Sequence, residues 1–146
     1  MKHARLVFYL ILFSTFGLSA QNAYEIRFTA GSVQHEGLLV CGKNTSEWQI
    51  RVRFFDSRQK CQRLIEQKMR AEKTNLGTLL HGYSVWDVQK KQQAVDYAAD
   101  NFYLTYDQNG KVYSKNIDAQ GTTVSVQMTL LGDDQKKVKM QEFGWP

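Results

Sequence analysis

The chain has 146 residues, of which 42% are hydrophobic, and a formal charge of +5. This length suits one domain and excludes two domains of ordinary size. Beyond residue 20 no apolar run reaches the roughly 20 residues that a membrane-spanning helix needs, so we expect no transmembrane span in the mature chain.

The first 20 residues have the layout of a secretory signal peptide. Lys2 and Arg5 form a positively charged N-terminal region, residues 6–16 are mostly apolar, and Ala20 supplies a small residue before the expected cleavage site. The apolar segment is shorter than a membrane anchor requires. The sequence therefore predicts cleavage near Ala20 and a secreted or periplasmic single domain over residues 21–146, whose formal charge falls to +3 because two basic and no acidic side chains are removed.

Residues 47–55 give the clearest strand signal. Apolar and polar side chains alternate there over eight positions. The apolar side holds Trp48, Ile50, Val52 and Phe54, and the other side holds Glu47, Gln49, Arg51 and Arg53. Such a strand buries one face in a core and exposes the other to water.

Further segments continue this strand pattern. Asn109 and Gly110 mark the firmest hairpin, because both residues tolerate the positive φ of a tight turn. The lysines of residues 136–140 are typical of an exposed edge strand. The predicted strands cover residues 24–30, 36–41, 47–55, 76–81, 100–107, 111–118, 122–131 and 136–140.

Residues 57–73 are compatible with two structures. Their apolar side chains follow helical spacing, which favours a helix. A strand over residues 62–71 would instead supply the second partner that the strand at 47–55 needs. We predict the strand, although Arg63 and Gln67 interrupt its apolar face.

In two segments the apolar residues recur with neither helical nor strand spacing. Residues 84–99 are predicted either as a short helix around residues 88–98 or as a long surface loop. The tail at residues 143–146 either plugs an open end of the fold or frays.

About eight strands with short connections indicate an all-β fold, a single antiparallel β-barrel or sandwich. An α+β fold is the alternative if residues 57–73 form a helix. The strand order resembles that of lipocalin-type barrels, although Gly31, Ser32 and Val33 stand where that family carries Gly-x-Trp. The resemblance therefore concerns topology alone.

Cys41 and Cys61 give opposing signals about a disulfide. An oxidising compartment favours a bridge. Strand geometry opposes it, because the two residues fall at opposite ends of one strand pair, whereas bridged Cα atoms lie within about 7 Å. The sequence leaves both alternatives open.

Residues 51–73 form a basic cluster with eight basic and three acidic side chains. Such a cluster attracts anionic partners, so we expect an acidic protein, an anionic glycan or a lipid headgroup, and no nucleic acid. The same charges also suit the solvated face of a strand. The candidate binding residues of this basic face are Arg51, Arg53, Arg63 and Arg70.

Aromatic side chains surround the irregular segment at residues 84–99. At the mouth of a barrel they would clamp an apolar ligand, and otherwise they cap the core. The first alternative to a basic interaction surface is therefore a lipocalin-like carrier of a small apolar ligand. The candidate residues are Tyr83, Trp86, Tyr97 and Tyr103.

Little in the sequence indicates catalysis. His81, Asp87 and Asp100 flank the same segment, and a small hydrolase is the second alternative. No phosphate-binding or dinucleotide-binding motif occurs, and neither His35 nor His81 has a partner at metal-ligand spacing. We therefore assign no catalytic residue, metal or cofactor, and predict a binding domain rather than an enzyme.

Overall fold

A computed structural model describes residues 21–118 and 120–146, so the predicted signal peptide lies outside the described residues. Within the described part, no helix has the length and apolar character needed to cross a membrane. The elements are β1 (Ala23–Ala30), β2 (Val33–Cys41), β3 (Glu47–Asp56), β4 (Cys61–Thr74), β5 (Gly77–Asp87), β6 (Gln92–Gln93), β7 (Asn101–Tyr106), β8 (Val112–Ile117), β9 (Thr123–Leu130) and α1 (Asp133–Glu142).

The long strands close into one antiparallel barrel. β1 to β5 are neighbours in chain order, and β7, β8 and β9 continue the sheet from β5. Because β9 pairs with β1, the eight long strands form a closed ring, while β6 is a two-residue addition beside β5. The predicted antiparallel barrel is confirmed.

β4 is a strand along its whole length, so the helical alternative for residues 57–73 is wrong. It pairs with β3 on one edge and with β5 on the other. Arg63 and Gln67 break the apolar pattern because both point into the barrel, where they donate hydrogen bonds to acidic residues from distant segments. The cross-barrel partners, which local sequence does not show, decide the conformation.

The predicted edge strand at residues 136–140 is wrong, because this segment belongs to α1. Asp133 and Asp134 occupy the first turn and Lys139 the last, which complements the helix dipole. Lys136 is buried, and Met140 and Phe143 follow it at helical spacing on the side that faces the barrel.

β5 is longer than the predicted strand at residues 76–81, since it continues to Asp87. Residues 88–100, here called the lid loop, contain turns and β6 but no helix, so the helix predicted around residues 88–98 is wrong and the loop alternative holds. A glycine at position 82 lets the loop approach β5 closely. A Cβ there would lie 2.7 Å from the Asp100 carbonyl oxygen.

The barrel end that carries the lid loop and the β3–β4 turn, here called the lid end, is filled by aromatic rings. Neighbouring ring centroids are 4.8 to 5.6 Å apart in the row Phe102, Phe28, His35, Phe54 and Tyr97. The row crosses the interior from β7 to the lid loop. At this end the barrel is therefore a packed core rather than a ligand chamber.

A second, smaller core lies outside the barrel wall. Ala23, Leu38 and Val40 point outward from β1 and β2, and Phe143 covers them. We call residues 133–146 the C-terminal strap. Both predicted alternatives for the tail, a plug in a barrel end and a frayed end, are therefore wrong, because Phe143 is buried against the outer wall.

Candidate functional site

Arg51 faces outward from β3, as predicted, but the C-terminal strap covers it. Its Nε donates to Glu66 Oε2 at 2.7 Å, and its Nη1 donates to the Phe143 carbonyl at 2.9 Å. The guanidinium also lies 4.9 Å from the ring centroid of Trp145. These contacts leave the charge little freedom to meet an external partner.

Arg53 is held in the same way. Its Nη2 is 2.9 Å from a carboxylate oxygen of Glu36 and of Glu142, and the guanidinium stacks on Phe143 at 4.9 Å. The hydrogen bond to Glu36 is the largest of several causes that raise the pKa of Arg53. The strap therefore uses the two central arginines of the predicted basic face as anchors.

Arg63 does not share that face at all, because it points into the lid end and is 3% exposed. Its guanidinium binds both carboxylate oxygens of Asp96 at 2.9 Å and reaches one oxygen each of Asp56 and Asp87 at 3.2 Å. The hydrogen bonds to Asp96 raise the pKa of Arg63, and the same contact lowers the pKa of the Asp96 carboxyl. Arg63 thus latches the lid loop to β4.

Tyr97, which belongs to the lid loop, packs onto the aromatic core of the lid end. Its ring lies 5.4 Å from that of Phe54, and its hydroxyl donates to Asp100 Oδ2 at 2.7 Å. Gln67 donates to the same oxygen at 2.6 Å, and Asn116 donates to the other oxygen at 3.0 Å. Burial raises the pKa of Tyr97 well above its usual range. Tyr97 therefore caps the core rather than lining an open mouth.

The remaining predicted binding residues are dispersed over the surface. Arg70 lies 4.4 Å from the ring centroid of Tyr83 on the outer face of β4 and β5. Trp86 is exposed farther along β5. Tyr103 is on β7, where its hydroxyl is 2.8 Å from Thr74 Oγ1. Only Arg70 and Tyr83 are brought together.

Cys41 and Cys61 are free thiols in the structure. Cys41 lies opposite Trp48 at one end of β3, and Cys61 lies opposite Asp56 at the other end. This is the separation that strand geometry indicates.

The residues of the hydrolase alternative have different partners. His81 Nε2 lies 3.1 Å from Glu72 on the outer surface. Asp87 is buried beside Arg63, and Asp100 binds Gln67 inside the barrel. The structure therefore does not join His81, Asp87 and Asp100 into one site, and among the described residues no cluster of three or more potential metal ligands is found.

A candidate site that was not predicted lies where β8 and β9 separate. Their ladder joins residues 114–117 to residues 123–126. Residues 127–130 pair instead with β1. β9 thus changes partner halfway along its length, and the two strands diverge beyond Ser114 to leave a groove of about 780 Å³, here called the β8–β9 groove.

The walls of the β8–β9 groove are mainly apolar and its rim is basic. Inward-facing side chains of both strands form the floor, and two lysines and two tyrosines stand on the rim. No acidic side chain lines it within the described part of the chain. The floor comprises Val112, Ser114, Val126 and Met128, and the rim includes Leu76, Tyr103, Lys111, Tyr113 and Lys115.

Ser114 is the one strongly buried polar residue of the groove floor. It is 6% exposed, and its Oγ has no hydrogen-bond partner among the described residues. A buried hydroxyl without a partner is unusual in a folded protein and calls for an explanation. Sequence shows a serine at an inward position of a strand, but it does not show that the neighbouring strand diverges there.

A second gap, of about 490 Å³, lies between β1 and β9 near the lid end. Charged and amide side chains dominate its rim, and Arg27 already faces Glu36 at 3.9 Å and Glu25 at 2.8 Å. It offers less apolar surface than the β8–β9 groove, and the Arg27 and Glu36 charges that line it are paired within the described part of the chain.

Comparisons of the chain with protein-family models, with curated proteins and with solved structures found no significant match. What the chain does is therefore inferred from its own residues.

Proposed function

We propose that this chain is a secreted or periplasmic binding protein without catalytic activity, and that it holds a small ligand with an apolar body and an anionic group in the β8–β9 groove. The observation that carries the proposal is the combination of an apolar floor, two lysines on the rim and the absence of acidic lining residues in the described part of the chain. Ligand sites commonly combine apolar walls with a few placed polar groups.

The apolar body belongs in the groove because its floor side chains continue the barrel core. Val112 and Met128 are only partly buried and pack against that core. Leu76 and Tyr113 are exposed on the rim, at 79% and 51%. A ligand lying between β8 and β9 would cover these side chains and remove their apolar surface from water, at roughly 25 cal/mol per Å².

The anionic group is assigned to Lys111 and Lys115 rather than to Arg51, Arg53 or Arg63. Arg51 and Arg53 are occupied by carboxylates and the C-terminal strap, and Arg63 is inside the barrel. Lys111 instead lies over the ring of Tyr113, 5.2 Å from its centroid, at the edge of the groove.

Two fluorescent probes test this assignment. 1-Anilinonaphthalene-8-sulfonate has an apolar body with a sulfonate, and N-phenyl-1-naphthylamine has a similar body without charge. We expect the wild type to bind both probes. The double variant Lys111→Gln/Lys115→Gln should weaken binding of the sulfonate probe by about fivefold, corresponding to ~1 kcal/mol for exposed charge pairs, and leave the neutral probe unchanged.

A matched variant controls for net charge. Lys43→Gln/Lys137→Gln also removes two exposed lysines, neither of which lines the groove. It should leave the affinities of both probes unchanged. Failure of both probes to bind the wild type, or equal weakening of the sulfonate probe by the two double variants, would contradict the proposal.

A further inference from the structure

We infer that Ser114 selects ligands that carry a hydroxyl or carbonyl oxygen on the apolar body, in addition to the anionic group at the rim. This inference rests on the proposed function, since it concerns the chemistry of the ligand in the same groove. It makes Ser114 a specificity-determining residue of the site.

The position of Ser114 supports this role. On β8 it lies between exposed Tyr113 and Lys115, so its side chain points inward where theirs point to the rim. It is opposite Val126, at the last step of the β8–β9 ladder before the strands separate. Ser114 is therefore at the point where the groove meets the packed part of the barrel, and its hydroxyl is covered in the absence of a ligand.

The chemistry of the surroundings limits what the hydroxyl can bind. The other floor residues, Val112, Val126 and Met128, offer no strong hydrogen-bonding side-chain group. A buried hydroxyl without a partner is costly, and a ligand oxygen that meets it removes that cost. A ligand with a plain hydrocarbon body leaves the hydroxyl unpaired and the cost in place. The hydrogen bond to Ser114 therefore makes the groove prefer a ligand that carries an oxygen on its apolar body.

The division between rim and floor also predicts the ligand layout. Lys111 and Lys115 hold the anionic group outside, and Ser114 meets the second polar group deeper in the groove. The expected ligand class is a small amphipathic acid that bears a hydroxyl or carbonyl group along its chain.

Competition against bound 1-anilinonaphthalene-8-sulfonate tests the inference. The competitors are dodecanoate and its 3-, 6- and 12-hydroxy derivatives, which differ only in the presence and position of one hydroxyl. We expect at least one hydroxy acid to bind the wild type about tenfold more tightly than dodecanoate does. In Ser114→Ala this preference should fall below twofold, with dodecanoate itself bound as well as before.

Ser57→Ala is the matched control, because it removes the same group from an exposed position that does not line the groove. It should retain the preference for the hydroxy acid. Ser114→Ala is expected to fold at least as stably as the wild type, since it removes an unpaired buried hydroxyl.

The outcomes separate the two proposals. If dodecanoate displaces the probe and no hydroxy acid differs from it by more than twofold in the wild type, the role of Ser114 is wrong while the binding function stands. A preference that persists in Ser114→Ala also overturns the role. If neither 1-anilinonaphthalene-8-sulfonate nor N-phenyl-1-naphthylamine binds the wild type, the proposed function itself fails.

Discussion

His35 shows how burial changes the chemistry of a single side chain. It is 6% exposed and lies between the rings of Phe28 and Phe54, each 4.8 Å away. Burial is the main cause that lowers its pKa, although nearby Asp100 acts in the opposite direction. Because Nδ1 faces the Val33 carbonyl at 3.1 Å, the neutral ring donates that hydrogen bond.

We predict that His35 makes the fold less stable in mild acid. A histidine whose folded pKa lies below its unfolded value of about 6.5 takes up a proton more readily in the unfolded chain. The free energy of unfolding should therefore decrease as the pH falls below about 6.5, until the folded pKa is reached. His35→Phe keeps an aromatic ring in the row and should flatten this part of the stability profile.

Urea unfolding between pH 5 and pH 8 measures the effect. His81→Gln is the control, because His81 is exposed and pairs with Glu72 on the surface. A pH profile that is equally steep in the wild type and in His35→Phe would show that another group controls it.

The local alternation of side chains predicted which residues of β3 face the core. Trp48, Ile50, Val52 and Phe54 are all buried inside the barrel. The roles of Arg63 and Ser114 could not be predicted, because Arg63 depends on carboxylates from three other segments and Ser114 on the divergence of a neighbouring strand.

At the scale of elements, the C-terminal strap is an integral part of the fold. It covers outward-facing apolar residues of β1 and β2 and ties down the two outward arginines of β3. The sequence places lysines in this segment, which suggested an edge strand. Apolar spacing does not indicate the helix, because its buried side begins with Lys136, whereas Val138 is exposed.

We predict that Phe143→Ala destabilises the protein by about 3 kcal/mol, since it empties a buried aromatic site and exposes the wall beneath it. Chemical denaturation monitored by tryptophan fluorescence gives the free energy of unfolding. Val138→Ala on the same helix is the control and should cost less than about 0.5 kcal/mol, because Val138 is 62% exposed. Comparable losses in the two variants would mean that the strap does not pack on the barrel.

The lid loop is the second element whose role follows from distant contacts. Its latch consists of the ion pairs between Arg63 and Asp96, supported by a hydrogen bond from Gln59 to Asp96. The composition of residues 84–99 left a loop open as one alternative, which holds for residues 88–99, whereas residues 84–87 belong to β5. Composition alone could not show that Arg63 binds this loop or that the barrel end beneath it is packed with aromatic side chains.

At the scale of the whole molecule, the closure of the barrel determines where a ligand can bind. Strand count and alternation were enough to predict an antiparallel barrel or sandwich, because each strand buries one face, and the structure shows the barrel. The groove depends on register instead, since β9 pairs with β8 over its first half and with β1 over its second half. Register between distant strands is a tertiary property that no local pattern in this chain indicates.

Hydrogen exchange with and without 1-anilinonaphthalene-8-sulfonate tests most directly whether the β8–β9 groove is the binding site. The backbone amides of residues 111–115 and 125–129 border the groove and are expected to exchange more slowly when the probe is bound. Residues 51–73 and the lid loop should keep their exchange rates. Slower exchange of the backbone amides of β3 and β4, with no change along β8 and β9, would contradict the account. It would indicate that the probe binds at the basic face instead.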